Sequence, residues 1–314
     1  MIASPSIPAS HAQDFFVVGS GGVRLRLYRM RGGERHRRVV IMGHCNGFAA
    51  GAYLPLLERL TDAADVFAFD HRGHGGADAP PAADPGSFAP DGLAQDVGAV
   101  VAAVAAQRPD GELHYFGHSL SAAAMLRLGI AFPRAYADLP LRAVALMEPP
   151  VFPDASHPLF QRCTADTDEL VARTRRRRTR WPDAAAFMTG LRRYPTFSAF
   201  APGMLEAMAA ATLRPVDDGV ALICDPAAEA AIFATWGRPI LYPGLDRVPT
   251  THRLHLLGAD PAAPGADWVA RMMASVAPRL QGVRFEVFAG RGHLWPFEAP
   301  DEARAWIVST LLAC

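Results

Sequence analysis

The sequence contains no lysine, because all 31 of its Lys and Arg positions are arginine. A Schiff base to a lysine is therefore impossible, which excludes pyridoxal-phosphate enzymes and class I aldolases. A phosphate-binding P-loop also needs a lysine, so P-loop nucleotide hydrolases are excluded. A protein-kinase site is excluded for the same reason, since a strand lysine must contact the phosphates.

Charge of either sign is not in excess, and long apolar runs are missing. The 31 arginines balance 31 acidic residues, so the formal net charge is zero and a nucleic-acid partner is disfavoured. No stretch of about 18 uninterrupted apolar residues occurs, so no membrane span is expected. The segment Met1–Asp14 lacks the basic start and apolar block of a secretory signal.

Cysteine is scarce. The four cysteines, Cys45, Cys163, Cys224 and Cys314, are scattered and form no Cys-x-x-Cys pair. Free thiols in a reducing cytoplasm are the simplest interpretation of this distribution. The localisation predicted from the sequence is therefore cytoplasmic.

What the 314 residues do contain is an alternation of short apolar runs with amphipathic segments. Strands are predicted at Phe15–Val18, Val23–Met30, Val39–Met42, Val66–Phe69, Leu113–Phe116, Ala143–Met147, Leu254–Leu257 and Val283–Phe288. Helices are predicted at Ala49–Thr61, Asp91–Gln107, Leu120–Phe132, Asp267–Leu280 and Pro300–Leu312. This order predicts an α/β fold, with a mostly parallel central sheet and helices on both faces.

The alternation stops between residues 149 and 242. This stretch is helical in pattern, broken by prolines and rich in arginine, and it shows no clear strand run. It is too long for a loop, so an inserted helical subdomain is predicted there. Residues 1–148 and 243–314 then form the α/β core.

One predicted strand end carries a serine in a constrained setting. The strand ending at Phe116 runs into Gly117-His118-Ser119-Leu120-Ser121, and a helix follows. A glycine, a serine and a small residue at this spacing, between a strand and a helix, are typical of a sharp turn that exposes the serine hydroxyl. Ser119 is therefore the candidate nucleophile, and a simple helix-capping serine is the alternative.

A second strand end is a candidate oxyanion loop. The strand ending at Met42 leads into Gly43–Phe48, where the backbone N–H of Asn46 can point at the substrate of Ser119. The second donor would be the N–H of Leu120, directly after the serine. The alternative interpretations are an ordinary turn glycine for Gly47 and a small buried residue for Cys45.

The third component is a histidine with an acid. His293 follows the last strand, on a loop where it can face Ser119 as general base, although a surface histidine is the alternative. Two carboxylates stand at strand ends, Asp260 and Glu148. Asp260 follows the penultimate strand and is preferred for that reason, with Glu148 as the alternative.

The segment Asp70–Gly75 also follows a strand, and it contains His71 and His74. Their spacing matches no zinc-binding helix, and no cysteine is near, so a metal site is disfavoured. A carboxylate and an arginine holding a glycine-rich loop are the better interpretation.

Together these segments resemble the α/β-hydrolase superfamily, over about two thirds of the chain. The His-x-Asn-Gly-Phe form of the oxyanion loop is similar to a subgroup of bacterial and fungal hydrolases related to a peroxisomal lipase. Two features depart from the family pattern. Ser121 replaces the usual glycine of the turn, and Asp260 follows Gly258 by two residues where the family commonly has three.

The resemblance implies that the insertion 149–242 is a cap over the site. Its apolar residues could line an acyl pocket or could simply form core: Phe187, Met188, Leu191, Tyr194, Phe197, Phe200, Met204, Leu205 and Met208. Its basic run could bind an anionic substrate tail, but a solvated helix face is favoured: Arg173, Arg175, Arg176, Arg177, Arg178 and Arg180.

The function expected is that of a serine hydrolase acting on a carboxylic ester, with a lipid ester or lactone possible. A small acyl compound is the expected substrate, and no metal or organic cofactor is required. A serine at the turn argues against the aspartate-dependent dehalogenases and epoxide hydrolases. An acyltransferase, a thioesterase or a carbon–carbon hydrolase could use the same residues, and a binding protein on an inactive hydrolase fold is the alternative of another class. The sequence leaves the oligomeric state open.

Overall fold

A computed structural model describes residues 4–81, 84, 86–263 and 266–313 of the chain. Two sheets are present in this part. The central sheet contains β1 Ala12–Val18, β2 Arg24–Met30, β3 Arg38–Gly43, β4 Asp65–Asp70, β5 Glu112–His118, β6 Leu141–Met147, β10 Arg253–Ala259 and β11 Arg284–Phe288. The small sheet contains β7 Arg180–Trp181, β8 Leu213–Val216 and β9 Gly219–Leu222. All eight predicted strands are found, each within three residues of its expected limits.

The eight-stranded sheet has the order β1-β2-β4-β3-β5-β6-β10-β11. Strand β2 pairs antiparallel with both β1 and β4, whereas the remaining neighbours are parallel. The carboxyl ends of β3, β5, β6, β10 and β11 therefore meet at one edge, where ligands bind in such sheets. All the predicted site residues follow these strands.

The helices of the α/β core are α1 Leu54–Leu60, α2 Pro90–Gln107, α3 Leu120–Ala131, α4 Pro133–Ala137, α10 Trp268–Val276, α11 Trp295–Glu298 and α12 Pro300–Trp306. Short 3-10 segments occur at Ser20–Gly22, Ala50–Tyr53, Tyr242–Arg247 and Ala277–Arg279, and a π-helical turn at Ile307–Leu311. The predicted helix Ala49–Thr61 is thus a 3-10 turn followed by α1. The π-helical turn likewise forms the end of the predicted last helix.

Two hydrophobic cores lie on opposite faces of the sheet. Along β3, Val39 and Ile41 belong to one core, and Val40 and Met42 belong to the other. This alternation follows from the two-residue period of a strand, and it explains why β3 reads as a continuous apolar run. Helices α2, α3 and α10 pack in the first core, and α1 and α12 pack in the second. The expected α/β fold is confirmed.

The chain between β6 and β10 holds α5 Phe160–Arg175, α6 Ala184–Leu191, α7 Pro195–Ser198, α8 Met204–Thr212 and α9 Pro226–Trp236. It also holds the antiparallel sheet β7-β9-β8, which the sequence analysis did not predict. The expectation of a purely helical insertion is therefore wrong in this detail. Strands of two to four residues are too short to show a two-residue hydrophobic period, and a proline lies inside β8.

No helix of the described ranges combines the length and the hydropathy needed to cross a membrane. Cys45, Cys163 and Cys224 are buried free thiols. The remaining cysteine, Cys314, lies outside the described residues.

Candidate active site

Ser119 lies at the junction between β5 and α3. Its backbone has φ 53° and ψ −106°, a conformation that residues other than glycine rarely adopt. Its N–H donates to the carbonyl of Met147, and its carbonyl accepts from Ala123, so both neighbouring elements hold the turn. A Cβ at Gly117 would lie 2.8 Å from the Ala122 nitrogen, which explains the glycine there.

Ser121, which stands where the family usually has glycine, is built into the turn by three partners. Its hydroxyl donates to the His44 carbonyl at 2.7 Å and accepts from His71 Nε2 at 2.6 Å. Its own carbonyl accepts from the Tyr115 hydroxyl at 3.1 Å. A Cβ at Gly43 would overlap the Ser121 side chain. The extra hydroxyl is therefore accommodated because the facing strand carries glycine.

His293 lies on the loop between β11 and α11, and its Nδ1 donates to Glu148 Oε2 at 2.7 Å. The other carboxylate oxygen, Oε1, accepts from the Ala259 N–H at 2.8 Å. The Glu148 side chain is completely buried, whereas a quarter of the His293 side chain is exposed. Glu148 and Ser119 are the two non-glycine residues with positive φ in the described part of the chain. Such strain is concentrated at functional sites.

The sequence analysis preferred Asp260 as the carboxylate beside His293, and the structure places Glu148 there. The Asp260 carboxylate accepts from the backbone N–H groups of Ala262 at 2.8 Å and Gly290 at 2.9 Å. Asp260 therefore stabilises the loop that carries His293. The hydrogen bonds from Gly290 and Ala262 lower the pKa of the Asp260 carboxyl. Glu148, the alternative acid, holds the position beside the imidazole. Its longer side chain spans the distance from the end of β6.

The electrostatics of the pair follow from burial and proximity. Burial alone lowers the pKa of His293, but the hydrogen bond and charge of Glu148 more than offset this, so the pKa is raised. The carboxylates of Asp267 and Glu298 raise it further. Burial raises the pKa of Glu148, although its bond to His293 opposes that shift. A raised imidazole pKa is what a proton acceptor needs.

The candidate oxyanion loop after β3 is held by hydrogen bonds to residues outside the loop. The Asn46 side chain donates to the Glu229 carbonyl at 3.1 Å, and the Gly47 N–H donates to His74 Nε2 at 3.0 Å. No hydrogen bond within the described ranges uses the Asn46 N–H. Leu120 is the first residue of α3, where helix N–H groups have no intrahelical partner. One cavity is lined by all four candidate residues: Asn46, Ser119, Leu120 and His293.

The three histidines near this loop serve as neutral hydrogen-bonding groups. His44 donates to the Cys45 carbonyl and accepts from the His71 N–H. Burial lowers the pKa of His44 to about 4 and that of His74 to about 3. No group of three or more His, Cys, Asp or Glu residues within the described ranges is arranged to hold a metal ion.

The loop after β4 is held by a carboxylate and an arginine. Buried Asp70 accepts from the N–H groups of Ala50 and Gly76, both at 2.8 Å, and from the Tyr28 hydroxyl at 2.6 Å. Arg72 makes a two-point contact with buried Asp96, at 2.7 Å and 2.8 Å. These bonds fix the backbone that presents His71 and His74.

The sequence analysis assigned no role to His118, the residue before Ser119. Its Nδ1 accepts from the Tyr53 hydroxyl at 2.6 Å, and its Nε2 donates to the His293 carbonyl at 2.8 Å. A buried histidine thus connects the serine turn to the loop that carries His293. The sequence offered one indication, a titratable residue within the turn itself.

The cavity above Ser119 has a volume of about 1030 Å³, at the upper end of the range typical of small-molecule sites. The apolar residues of the insertion contribute both to the cavity wall and to the hydrophobic core. Phe187, Leu191, Tyr194, Phe197 and Met208 line the cavity. Met204 and Leu205 are buried in the hydrophobic core, and Met188 and Phe200 pack against it. Phe187 and Met208 belong to the core as well as to the cavity wall, so the two interpretations of this apolar set overlap.

A model of the Alpha/beta hydrolase family matches residues 39–306. The chain therefore belongs to the alpha/beta hydrolase family. No curated protein matches the chain in sequence.

Solved structures of similar fold are numerous. E-2-(acetamidomethylene)succinate hydrolase is 20% identical, with a TM-score of 0.73, covering 97% of this chain and 100% of its own. A peroxisomal alpha-beta-hydrolase from Saccharomyces cerevisiae is 16% identical, with a TM-score of 0.68 and coverages of 97% and 89%. A malate-bound esterase from Thermogutta terrifontis is 18% identical, with a TM-score of 0.61 and coverages of 94% and 97%. At these identities the likeness establishes the fold.

Proposed function

We propose that the protein is a serine hydrolase that cleaves a carboxylic ester through Ser119, His293 and Glu148. The observation that carries the proposal is the 2.7 Å bond from His293 Nδ1 to a buried carboxylate. This bond leaves Nε2 of the imidazole as the atom that can take a proton. The strained serine and this histidine line the same cavity.

The reaction proceeds in two halves. His293 Nε2 takes the proton of Ser119 as the serine oxygen attacks the ester carbonyl, and the N–H groups of Asn46 and Leu120 stabilise the oxyanion. The protonated His293 then gives this proton to the departing alcohol, which leaves an acyl-serine. Water, deprotonated by His293, attacks the acyl-serine, and the acid is released as His293 returns the proton to the Ser119 oxygen. Glu148 stabilises the imidazolium in both halves.

The insertion 149–242 acts in this proposal as a cap that excludes water and shapes the acyl pocket. Its aromatic and aliphatic side chains at the cavity wall support that role. Location in a reducing compartment such as the cytoplasm also belongs to the proposal, since the three described cysteines are unpaired. The esterase among the similar structures agrees with an ester substrate.

The test is hydrolysis of p-nitrophenyl butyrate by the wild type, Ser119→Ala and His293→Ala. Each substitution is expected to lower kcat by about 10³-fold or more, because the three residues act as a unit. Ser309→Ala, at an exposed position, and His11→Ala, whose side chain is 40% exposed, are matched controls and should keep wild-type rates. Full activity in Ser119→Ala would overturn the proposal.

Covalent labelling of the serine distinguishes a serine hydrolase from a non-catalytic binding protein of the same fold. A fluorophosphonate probe is expected to modify Ser119 in the wild type and to leave Ser119→Ala unmodified. Parallel assays with a butyryl thioester, and with added alcohol as competing acceptor, distinguish ester hydrolysis from thioester hydrolysis and acyl transfer. A wild-type protein that neither labels nor hydrolyses any of these would contradict the assignment.

A further inference from the structure

The cavity that contains Ser119 is lined by four arginines of the insertion: Arg173, Arg177, Arg178 and Arg193. Ser119 is 8% exposed, whereas Arg173, Arg178 and Arg193 are all exposed. The serine is therefore a buried part of the cavity wall, whereas these three arginines are exposed parts of it. With no lysine in the chain, every cationic side chain here presents a planar set of N–H donors.

Arg177 differs from the other three because its charge is already matched. It contacts the buried Glu229 carboxylate through two nitrogens, at 2.9 Å and 2.6 Å. The other two carboxylates of the cavity wall have backbone partners. Asp267 caps α10 by accepting from Val269 and Ala270, and Glu298 accepts from Gly292 at 3.1 Å.

Arg173, Arg178 and Arg193, by contrast, form no ion pair with any carboxylate of the described ranges. Two other arginines of the same insertion, which do not line this cavity, are paired. Arg162 contacts Asp166 at 2.7 Å, and Arg192 contacts Glu206 at 2.9 Å. Arg175, Arg176 and Arg180 are exposed and also form no ion pair within the described ranges, but they do not line the cavity. What distinguishes Arg173, Arg178 and Arg193 is therefore their place in the cavity wall.

One of the three unpaired arginines is held in place before any ligand binds. The Arg178 guanidinium lies 5.4 Å from the ring centre of Trp181, and its Nε donates to the Arg180 carbonyl. Trp181 in turn packs edge-on against Phe187, with ring centres 4.8 Å apart. A side chain positioned in this way loses less conformational freedom when it binds an anion.

We propose that the substrate carries a carboxylate or phosphate group at the end remote from its ester, and that Arg173, Arg178 and Arg193 bind this group. The inference rests on the proposed ester hydrolysis at Ser119. The part of the substrate between the two ends lies against Trp181, Phe187 and other apolar side chains of the wall. Guanidinium groups recognise carboxylate and phosphate oxygens through paired N–H bonds.

The test compares two esters that differ in one charge: mono-p-nitrophenyl adipate, with a free carboxylate, and its neutral methyl ester. The ratio of their kcat/KM values, charged over neutral, is measured on each protein, so differences in active fraction cancel. A wild-type ratio of about 10 or more is expected, since several charge-assisted hydrogen bonds at a partly exposed site contribute. The triple variant Arg173→Gln, Arg178→Gln and Arg193→Gln should bring the ratio close to 1.

Arg162→Gln and Arg192→Gln are matched controls, because they remove paired arginines of the same segment and should leave the ratio unchanged. Raising the NaCl concentration from 0.05 to 0.5 M should reduce the wild-type ratio by screening. A wild-type ratio near 1 with no inhibition by anions would overturn the proposal. A high ratio that survives in the triple variant would overturn the assignment to these arginines.

The two anion chemistries are separated by inhibition of the hydrolysis of the neutral ester. Competitive inhibition by adipate assigns a carboxylate, and inhibition by inorganic phosphate alone assigns a phosphate. If neither p-nitrophenyl ester is cleaved, the proposed function fails, and calorimetric titration of the Ser119→Ala protein with adipate or phosphate tests the anion site separately. Absence of binding to the Ser119→Ala protein in that titration would refute the anion site. Binding that the triple variant retains unchanged would also refute it.

Discussion

His293 Nδ1 lies 2.7 Å from Glu148 Oε2, although 145 residues separate the two in sequence. Backbone bonds at the sheet edge bring this about. Ser119 N–H donates to Met147, and Glu148 N–H donates to Leu257, so the ends of β5, β6 and β10 are aligned. Glu148 therefore stands one strand away from Ser119, facing the loop that carries His293.

The identity of the acid can be decided with two substitutions. Glu148→Gln should lower kcat for p-nitrophenyl butyrate by about 10³-fold or more, because an amide neither holds the imidazole tautomer nor stabilises its cation. Asp260→Asn is the matched control and should change kcat by no more than about threefold, since it alters only loop hydrogen bonds. The reverse order of these two effects would contradict the assignment.

The activity should depend on pH through His293. The neutral imidazole is the active form, and Glu148 raises the pKa of His293 above its ordinary value of about 6.5. Activity should therefore decline as pH falls through a midpoint above 6.5. In Glu148→Gln the residual activity should show this midpoint at lower pH, since burial then acts without the opposing carboxylate. A pH–kcat/KM profile of both proteins measures the shift, and an unmoved midpoint would count against the coupling.

Gly43 and Ser121 should be energetically coupled. Gly43→Ala places a methyl group against the Ser121 side chain and should destabilise the protein by about 1–3 kcal/mol. In a Ser121→Gly background the same substitution should cost less, because its main steric partner is gone. Urea unfolding of the two single variants and the double variant gives the coupling, expected at about 0.5–3 kcal/mol. Strict additivity would show that the overlap is relieved by backbone movement.

The buried pair of Arg72 and Asp96 should matter more than an exposed pair of the same kind. Asp96→Ala leaves the buried guanidinium without its carboxylate and should cost about 3–5 kcal/mol in the free energy of unfolding. Asp138→Ala breaks the exposed contact with Arg134 and should cost less than about 1 kcal/mol. Chemical denaturation measures both, and equal costs would contradict the role of burial.

Much of the core architecture was predictable because it rests on local pattern. Apolar runs of four to eight residues gave the strands, and Gly117 followed two residues later by Ser119 gave the turn. The small sheet β7-β9-β8 was missed because its strands are too short to show a period. The role of His118 was missed because its partners, Tyr53 and His293, are distant in sequence.

The choice between Asp260 and Glu148 could not be made from chain order, because both lie between Ser119 and His293. The sequence by itself determined the family-typical serine turn, the histidine loop and the absence of lysine chemistry, all of which depend on residue type and near neighbours. Only the tertiary structure decided which carboxylate meets the imidazole and which arginines line the cavity unpaired. Both outcomes depend on how the strand ends and the insertion pack. This packing is determined by side-chain contacts between residues that are far apart in sequence.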